Sequence, residues 1–206
     1  KTTFLKTCLG LIPPLGGELR LFGVDTRSLR FSGIRKKMAY VPQNRPAGGS
    51  DRVRISVREA VSFGRLGKTG LLGSLDRRDK LAIGEAIERC GLGNLVDAAV
   101  QDLSGGQYQR VAIARAMAAE PELYLFDEPG SFLDAEGQTA MRGFITSLAG
   151  SGSSMIVVTH DRGLLALCGA ILGFESGGAS LLAQEDFADG ALGGEKGLND
   201  GREVGS

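Results

Sequence analysis

The sequence predicts an α/β fold, with a mostly parallel sheet and an inserted helical region. Two short apolar runs, LYLFDEP and SMIVVTHD, are separated by the helical pattern AEGQTAMRGFITSLAG. Continuous apolar runs that alternate with helices are typical of parallel strands covered on both faces. The chain also holds 32 glycines in 206 residues, which favours an α/β protein with tight loops over a helical bundle.

The N-terminal part is predicted to form a helix followed by two strands. Residues 2–11 carry apolar side chains at helical spacing, including Phe4, Leu5 and Cys8. The segment PPLGG ends this helix, and ELRLFG then alternates polar and apolar residues as a strand does. The run KMAYVPQ is a second strand that ends at a proline.

The middle of the chain has a helical pattern without strands. Amphipathic segments follow one another in ISVREAVSFGR, DRRDKLAIGEAIERCG and QYQRVAIARAMAAE. We therefore expect a helical subdomain over about 50–119, inserted into a sheet domain that spans 1–178. The tail, 179–206, is rich in glycine and acidic residues, and we expect a short edge strand that then frays.

Composition excludes several classes of function. Lysine plus arginine and aspartate plus glutamate both number 24, which argues against a nucleic-acid binder that works by bulk charge. The three distant cysteines, Cys8, Cys90 and Cys168, are expected to be buried reduced thiols, and with one histidine they predict no metal site. The longest apolar run, LLALCGAILGF, is shorter than the roughly 20 residues of a spanning helix. Any membrane role is thus expected to come through a partner.

One segment imitates a phosphate-binding loop. SFGRLGKTG holds Gly64, Gly67, Lys68 and Thr69, but the loop pattern requires glycine at the position of Ser62. The segment also follows a helix rather than a buried strand. We interpret it as a surface loop with a basic tip.

Acidic residues follow the first apolar run of the C-terminal half. Asp127 and Glu128 come at the end of LYLFDEP, at the carboxyl edge of the sheet, where α/β proteins bind ligands. An aspartate there can hold Mg²⁺, and a neighbouring glutamate can accept a proton from water. The alternative is a structural acid that caps a helix next to Pro129.

The motif LSGGQ and the single histidine are two further candidates for a functional site. LSGGQ opens a helix with Ser104 as a natural N-cap, and Gly105 and Gly106 leave the first amides open to an anion. Plain helix capping is the alternative. His160, the only histidine, ends the second buried strand at the same edge as the acidic pair, although a lone histidine is more often structural.

The order of these motifs resembles the ATP-binding subunit of an ABC transporter. KTT, VPQ, LSGGQYQR, LYLFDEP, SFLD and VTHD follow one another from Lys1 to about Gly178. The resemblance implies a P-loop NTPase (RecA-like) fold that lacks its N-terminal strands here, with ATP and Mg²⁺ as cofactors. It also implies ATPase activity that powers transport.

The resemblance assigns roles around the phosphates. Lys1 resembles the Walker A lysine that contacts the β- and γ-phosphates. Thr2 is implied as a Mg²⁺ ligand and Thr3 as support for the α-phosphate. Gln43 matches the Q-loop glutamine that reaches Mg²⁺ and water, and Asp127 the Walker B aspartate that binds Mg²⁺.

The remaining roles concern catalysis and a second subunit. Glu128 matches the catalytic glutamate, His160 the switch histidine at the γ-phosphate, and Asp134 the D-loop that crosses to the partner subunit. The signature loop, which meets the ATP of the opposite subunit, consists of Ser104, Gly105, Gly106 and Gln107.

The same resemblance implies partners and location. They are a second ATP-binding subunit, as a homodimer, an integral membrane permease and an extracytoplasmic substrate-binding protein, with the chain at the cytoplasmic face of the cell membrane and no nucleic acid bound. GLIPPLGGELRLFG and FGRLGKTGLLGSLDRRD are most similar to ATPases of zinc and manganese importers and somewhat less similar to those of iron-chelate importers, which implies import of a metal ion or metal chelate. Two alternatives stay open: an ABC ATPase associated with DNA or ribosomes, and a catalytically dead fragment.

The first residue raises a further expectation. A lysine followed by threonine and a helix is how a phosphate loop ends, yet the glycines of that loop do not precede Lys1. Without those amides the β-phosphate loses most of its cradle, and each lost charge-assisted hydrogen bond forfeits about 1.5–3 kcal/mol. We therefore expect the chain as printed to hydrolyse ATP poorly.

Overall fold

The computed structural model describes residues 1–43, 54–70, 73–131, 133–175 and 178–182. The chain divides into two units, Lys1–His160 and Asp161–Ser206. The first unit holds the three-stranded sheet and most helices, and the second holds a short helix and a hairpin.

A parallel sheet lies at the centre of the first unit. It consists of β3 (Met38–Val41), β4 (Leu123–Asp127) and β5 (Ser154–Val158), in the order β3-β4-β5. Every residue of the central strand β4 is buried, which explains its uninterrupted apolar run. Helix α7 (Ala135–Gly150) connects β4 to β5. The predicted parallel sheet is confirmed.

The N-terminal helix α1 (Thr2–Cys8) covers this sheet. Its buried face joins α2 (Phe31–Arg35) and the strands in one apolar cluster. The buried members come from all of these elements: Leu5, Cys8, Leu9, Phe31, Met38, Leu123, Leu125 and Val158. The sheet edge therefore rests on a continuous core.

The strand predicted in ELRLFG is present as a short strand, and it is the first arm of a hairpin. Strands β1 (Arg20–Leu21) and β2 (Val24–Asp25) pair antiparallel. Phe22 and Gly23 both have positive φ, 51° and 75°, as the two central residues of a type I′ turn require. Phenylalanine is an unusual residue for that conformation, so the turn gives no clear sequence signal.

The middle of the chain is helical, as predicted. It contains α3 (Val57–Ser62), α4 (Leu66–Thr69), α5 (Arg77–Arg89) and α6 (Gly105–Ala118). Capping boxes begin α3, α5 and α6, so each helix start is specified locally. No strand occurs in the described residues between 54 and 119, where an isolated bridge joins Ser56 and Ala99.

The interpretation of SFGRLGKTG as a surface loop is wrong. The segment forms a 3₁₀ turn (Phe63–Arg65) followed by α4, and Arg65 is buried. A Cβ at Gly64 would lie 2.2 Å from the carbonyl oxygen of Arg115. Glycine is therefore needed here for a close approach of two backbones rather than for a phosphate.

The second unit consists of α8 (Arg162–Leu165) and the antiparallel strands β6 (Ile171–Glu175) and β7 (Gly178–Leu182). Strand β7 lies where a short strand was predicted at the start of the tail. The predicted fraying beyond it falls on 183–206, outside the described residues. The boundaries at 178 and around 50–119 stay predictions.

All three cysteines are free thiols. Cys8 and Cys90 are buried as expected, and burial raises the pKa of the Cys90 thiol to about 12. Cys168 is only half-buried. In the described part of the chain, no helix has both the length and the apolar character that crossing a bilayer requires.

Candidate functional site

Three elements meet at the carboxyl end of β4. Asp127, the last residue of that strand, is 2% exposed. The hydroxyl of Thr2, at the start of α1, donates to its Oδ1 at 3.2 Å, and the hydroxyl of Tyr40, in β3, donates to its Oδ2 at 3.0 Å. Two residues predicted to lie near Mg²⁺, Thr2 and Asp127, are thus in direct contact.

Tyr40 is a residue that sequence reasoning missed. Burial and the bond to Asp127 raise the pKa of Tyr40 to about 12, so the hydroxyl is a donor at neutral pH. Its signal in the sequence was a hydroxyl within an otherwise apolar strand, because a buried tyrosine hydroxyl usually has a hydrogen-bond partner. That signal did not identify the partner, which lies 87 residues away.

The second pair at this edge is Glu128 and His160. Their Oε2 and Nδ1 atoms lie 2.8 Å apart, with the imidazole 72% exposed and the carboxylate side chain 13% exposed. The backbone N–H of Glu128 donates to the carbonyl of Val158 at 2.8 Å, which ties it to the end of β5. A largely buried carboxylate with a histidine at its open side can accept a proton from a water molecule.

Glu128 adopts an unusual backbone conformation. Its φ is +47°, in the left-handed region that costs a residue with a side chain energy. Glu128 directly follows the last residue of β4, and its carboxylate contacts His160. Such outliers are concentrated at functional sites, which supports a role for this side chain.

Gln43 contacts the loop that follows the acidic pair. Its Nε2 donates to Ser131 Oγ at 3.3 Å, and Ser131 Oγ donates to the carbonyl of Glu128 at 3.0 Å. The predicted Q-loop residue is thereby linked to the predicted catalytic residue through one serine. Ser131 was not predicted, since nothing in a single serine next to glycine indicates this contact.

The LSGGQ loop begins α6 as predicted. Ser104 Oγ accepts from the N–H of Gln107 at 3.3 Å, and Gln107 Oε1 accepts from the N–H of Ser104 at 2.9 Å. Capping therefore accounts for the two polar residues of the loop. It does not account for Gly105, because a Cβ there would meet nothing within 4 Å. The space beside Gly105 is therefore open to a ligand that approaches the start of the helix, such as an anion.

Asp134 lies on the same cleft as that loop. It caps α7 by accepting from the N–H of Gly137 at 2.8 Å. Together with Ser104, Gly106 and Gln107 it lines a cleft of about 760 Å³ between α6 and α7. The predicted site residues thus form two groups, one at the sheet edge and one around this cleft.

Lys1 and Thr3 join neither group. Lys1 is exposed and begins α1 without a side-chain capping bond. Thr3 is exposed, and its carbonyl accepts from the hydroxyl of Thr7 at 2.9 Å. Their assignment to phosphate contacts stays a prediction.

Comparison with known proteins identifies the family. A family model described as ABC transporter matches residues 1–131. The chain belongs to the ABC transporter family. Its fold agrees with this: the dimeric structure of a bacterial ABC transporter cassette matches 83% of this chain and 74% of its own length, with a TM-score of 0.69 and 26% identity. The predicted fold class, a P-loop NTPase with a parallel sheet, is confirmed.

Curated members of the ABC transporter family resemble most of the chain. The zinc transport system ATP-binding protein TroB of Treponema pallidum (strain Nichols) is 39% identical over 161 residues, which is 78% of this chain and 58% of the relative. The manganese transport system ATP-binding protein MntB of Bacillus subtilis (strain 168) is 33% identical over 162 residues, 78% of this chain and 62% of the relative. The chain therefore spans about three fifths of these two relatives' length.

The oxygen atoms at the sheet edge of this ABC chain suit a hard cation. A hydroxyl (Thr2) and a carboxylate (Asp127) meet there, and the amide of Gln43 lies on the neighbouring loop. Mg²⁺ prefers such ligands and usually takes the rest of its shell from water and substrate phosphates. The described residues contain no cluster of three or more histidine, cysteine, aspartate or glutamate side chains that could hold a metal unaided.

Proposed function

We propose that this chain is part of the ATP-binding subunit of an ABC transporter, which binds Mg-ATP and hydrolyses it. The observation that carries the proposal is the convergence at one sheet edge: Thr2 contacts Asp127, and Glu128 contacts His160. The first pair supplies oxygen ligands for a cation. The second supplies a carboxylate beside a histidine, where water can be activated.

Each residue at this edge of the sheet has its own role in the proposed hydrolysis. Thr2 and Asp127 would hold Mg²⁺, which neutralises the charge on the phosphates when it is bound. Glu128 orients the attacking water and accepts its proton. His160 contacts the Glu128 carboxylate, holds it in place and reaches the γ-phosphate from the exposed side. Gln43, linked through Ser131 to the backbone of Glu128, connects this edge to the rest of the transporter.

The second group acts on another subunit in this proposal. The space beside Gly105, at the start of α6, is open, and the first amides of a helix can bind an anion. Two copies that face each other would each close over the other's ATP, with Asp134 at the crossing. The dimeric structure of the bacterial ABC transporter cassette supports a homodimer, and one form of the related cassette was solved with ADP and Pi.

We further propose import of a metal ion or metal chelate, with a membrane permease and an extracytoplasmic substrate-binding protein as partners and the chain at the cytoplasmic face of the membrane. The relatives named for zinc and manganese transport support the substrate class. A DNA- or ribosome-associated ATPase is less well supported, since these relatives are transport proteins and the net charge is zero.

A trapped dimer tests the proposal. ATP hydrolysis and ATP-dependent dimerisation are measured for the chain as printed and for the chain extended by a glycine-rich phosphate loop before Lys1. We expect the extended chain to hydrolyse ATP, and its Glu128→Gln variant to lose hydrolysis at least about 100-fold while ATP holds it as a dimer. Glu122→Gln, at an exposed acid paired with Lys37, is the control.

Each result has a clear meaning. Glu122→Gln should hydrolyse ATP like the parent. If Glu128→Gln also does so, the catalytic assignment is wrong. If neither form of the parent binds Mg-ATP in a calorimeter, the chain is not a working ATPase and the dead-fragment alternative stands.

A further inference from the structure

We propose that Tyr40 is a positioning residue for the Mg²⁺ ligand Asp127, and that it fixes which carboxylate oxygen faces the cation. The proposal rests on the proposed function. Tyr40 donates to Oδ2 of Asp127 at 3.0 Å, while Thr2 donates to Oδ1 at 3.2 Å. The two oxygens are therefore held by different elements, β3 and α1, and the carboxylate cannot rotate without breaking a bond.

The burial of Asp127 makes these bonds necessary. At 2% exposure its carboxylate has little access to bulk water, and a buried charge without donors is costly. In the described part of the chain, no lysine or arginine forms an ion pair with it. Its two side-chain donors are neutral hydroxyls, which orient the carboxylate but leave its negative charge for a cation.

The hydroxyls of Thr2 and Tyr40 are expected to respond differently when a cation binds. The oxygen of Thr2 is itself a proposed ligand, so the cation belongs on the Oδ1 side of Asp127. Tyr40 holds the opposite oxygen and can keep its bond in both states. Strand pairing supports this role, because Tyr40 lies opposite Leu125 in the register, two residues before Asp127 on the central strand.

A conservative pair of variants tests the proposal. Tyr40→Phe removes only the hydroxyl, and Tyr124→Phe does the same to a buried tyrosine on the adjacent strand β4. Mn²⁺ serves as the probe: its affinity in the presence of ADP is measured by electron paramagnetic resonance, and ADP affinity without metal by calorimetry. Both forms of the chain, as printed and extended, are used, and thermal unfolding is followed without metal.

We expect Tyr40→Phe to weaken Mn²⁺ binding about 10-fold or more, as the loss of a bond that orients a metal ligand does. Metal-free ADP affinity should stay within about twofold, since this bond does not orient nucleotide ligands. Tyr124→Phe should leave Mn²⁺ affinity unchanged. Asp127→Asn, the positive control, should abolish Mn²⁺ binding.

The outcomes separate this proposal from the proposed function. If the parent binds Mn²⁺ with ADP and Tyr40→Phe binds it equally well, Tyr40 is structural and the proposal is overturned. If Tyr40→Phe weakens ADP binding without metal as strongly as Mn²⁺ binding, the residue shapes the pocket generally and the proposal is also wrong. If neither parent form binds Mn²⁺ with ADP, the proposed function fails and this inference fails with it.

Discussion

Two buried charged side chains, Arg65 and Asp127, differ in how the residues around them neutralise their charge. Arg65, in the helical region, is 2% exposed and is neutralised by Asp79 at 2.7 Å and Glu120 at 2.8 Å. Asp127, at the sheet edge, is equally buried, and among the described residues its side-chain donors are the neutral hydroxyls of Thr2 and Tyr40. The described residues neutralise the first charge, whereas they supply no opposite charge to the second.

The difference separates structure from function. Arg65 also donates to the carbonyl of Ala118 at 2.7 Å, so it joins the end of α6, the start of α5 and its own 3₁₀ turn. A fully satisfied buried ion cluster holds helices in one arrangement. An uncompensated buried carboxylate breaks the same rule, and such exceptions are expected at functional sites.

The largest effect is expected for Arg65→Met. The change leaves Asp79 buried at 8% side-chain exposure without its cation, and breaking a buried pair in this way costs about 3–5 kcal/mol of unfolding free energy. Lys68→Met is the matched control, because Lys68 pairs with the same Glu120 but is 41% exposed. It should cost less than about 1 kcal/mol. Urea denaturation measures both, and equal losses would remove the distinction between the two cations.

A change of opposite sign is expected at the sheet edge. Asp127→Asn removes a buried charge that the described residues do not neutralise, and it keeps the shape of the side chain. One hydroxyl can still donate to the amide oxygen, while the other has to turn and accept from the amide N–H. Without divalent cations it should raise the unfolding free energy by about 1 kcal/mol, the scale of one buried polar imbalance. The matched variant Asp79→Asn should lower it, since the buried Arg65 then keeps only Glu120 of the two carboxylates that neutralise it. The comparison breaks if both substitutions shift the urea midpoint in the same direction.

The smallest effect is expected for the loss of unfolding free energy at low pH. Hydrogen bonds from Arg65 and Lys68 lower the pKa of Glu120 to about 2, and the backbone N–H of Asp76 together with Arg65 lowers the pKa of Asp79. Because these folded-state pKa values are depressed, the stability that they contribute is complete above about pH 4, the unfolded range. It is lost as the pH falls towards 2.

The measurement is the unfolding free energy at pH 5, 4 and 3, in the parent and in Arg65→Met. The parent should lose more stability across this range, by less than about 1 kcal/mol for the partly exposed Glu120. The exposed Asp25–Arg27 pair, where hydrogen bonds from Arg27 lower the pKa of Asp25 to about 2, is common to both chains and cancels. Parallel pH profiles would show that Arg65 does not set these pKa values.

The sequence predicted the elements whose signal is local. The run LYLFDEP identified β4 because a central parallel strand is buried on both faces. The helix AEGQTAMRGFITSLAG was predicted with the bounds that α7 has. The motif order identified the family, and it also indicated Thr2, Asp127, Glu128 and His160, which the fold brings together in pairs.

What the sequence missed depends on contacts between distant residues. Gly64 is required because the backbone carbonyl of Arg115 lies too close to it for a side chain. In the sequence alone, the pattern around this glycine is typical of a loop. Tyr40 contacts Asp127, which lies 87 residues away in the chain, and Ser131 contacts Gln43, which lies 88 residues away. Neither contact leaves a pattern in the nearby sequence. Phe22 adopts a glycine-like conformation, which concealed the hairpin.

The left-handed backbone at Glu128 has a consequence for laboratory evolution. Glycine would adopt its φ of +47° without a penalty, so folding alone would favour Glu128→Gly. A library selected only for heat resistance or soluble yield would then drift away from the carboxylate that faces His160. Selection for turnover has to be applied in every round, because glycine at this position favours stability whereas glutamate is needed for the proposed catalysis.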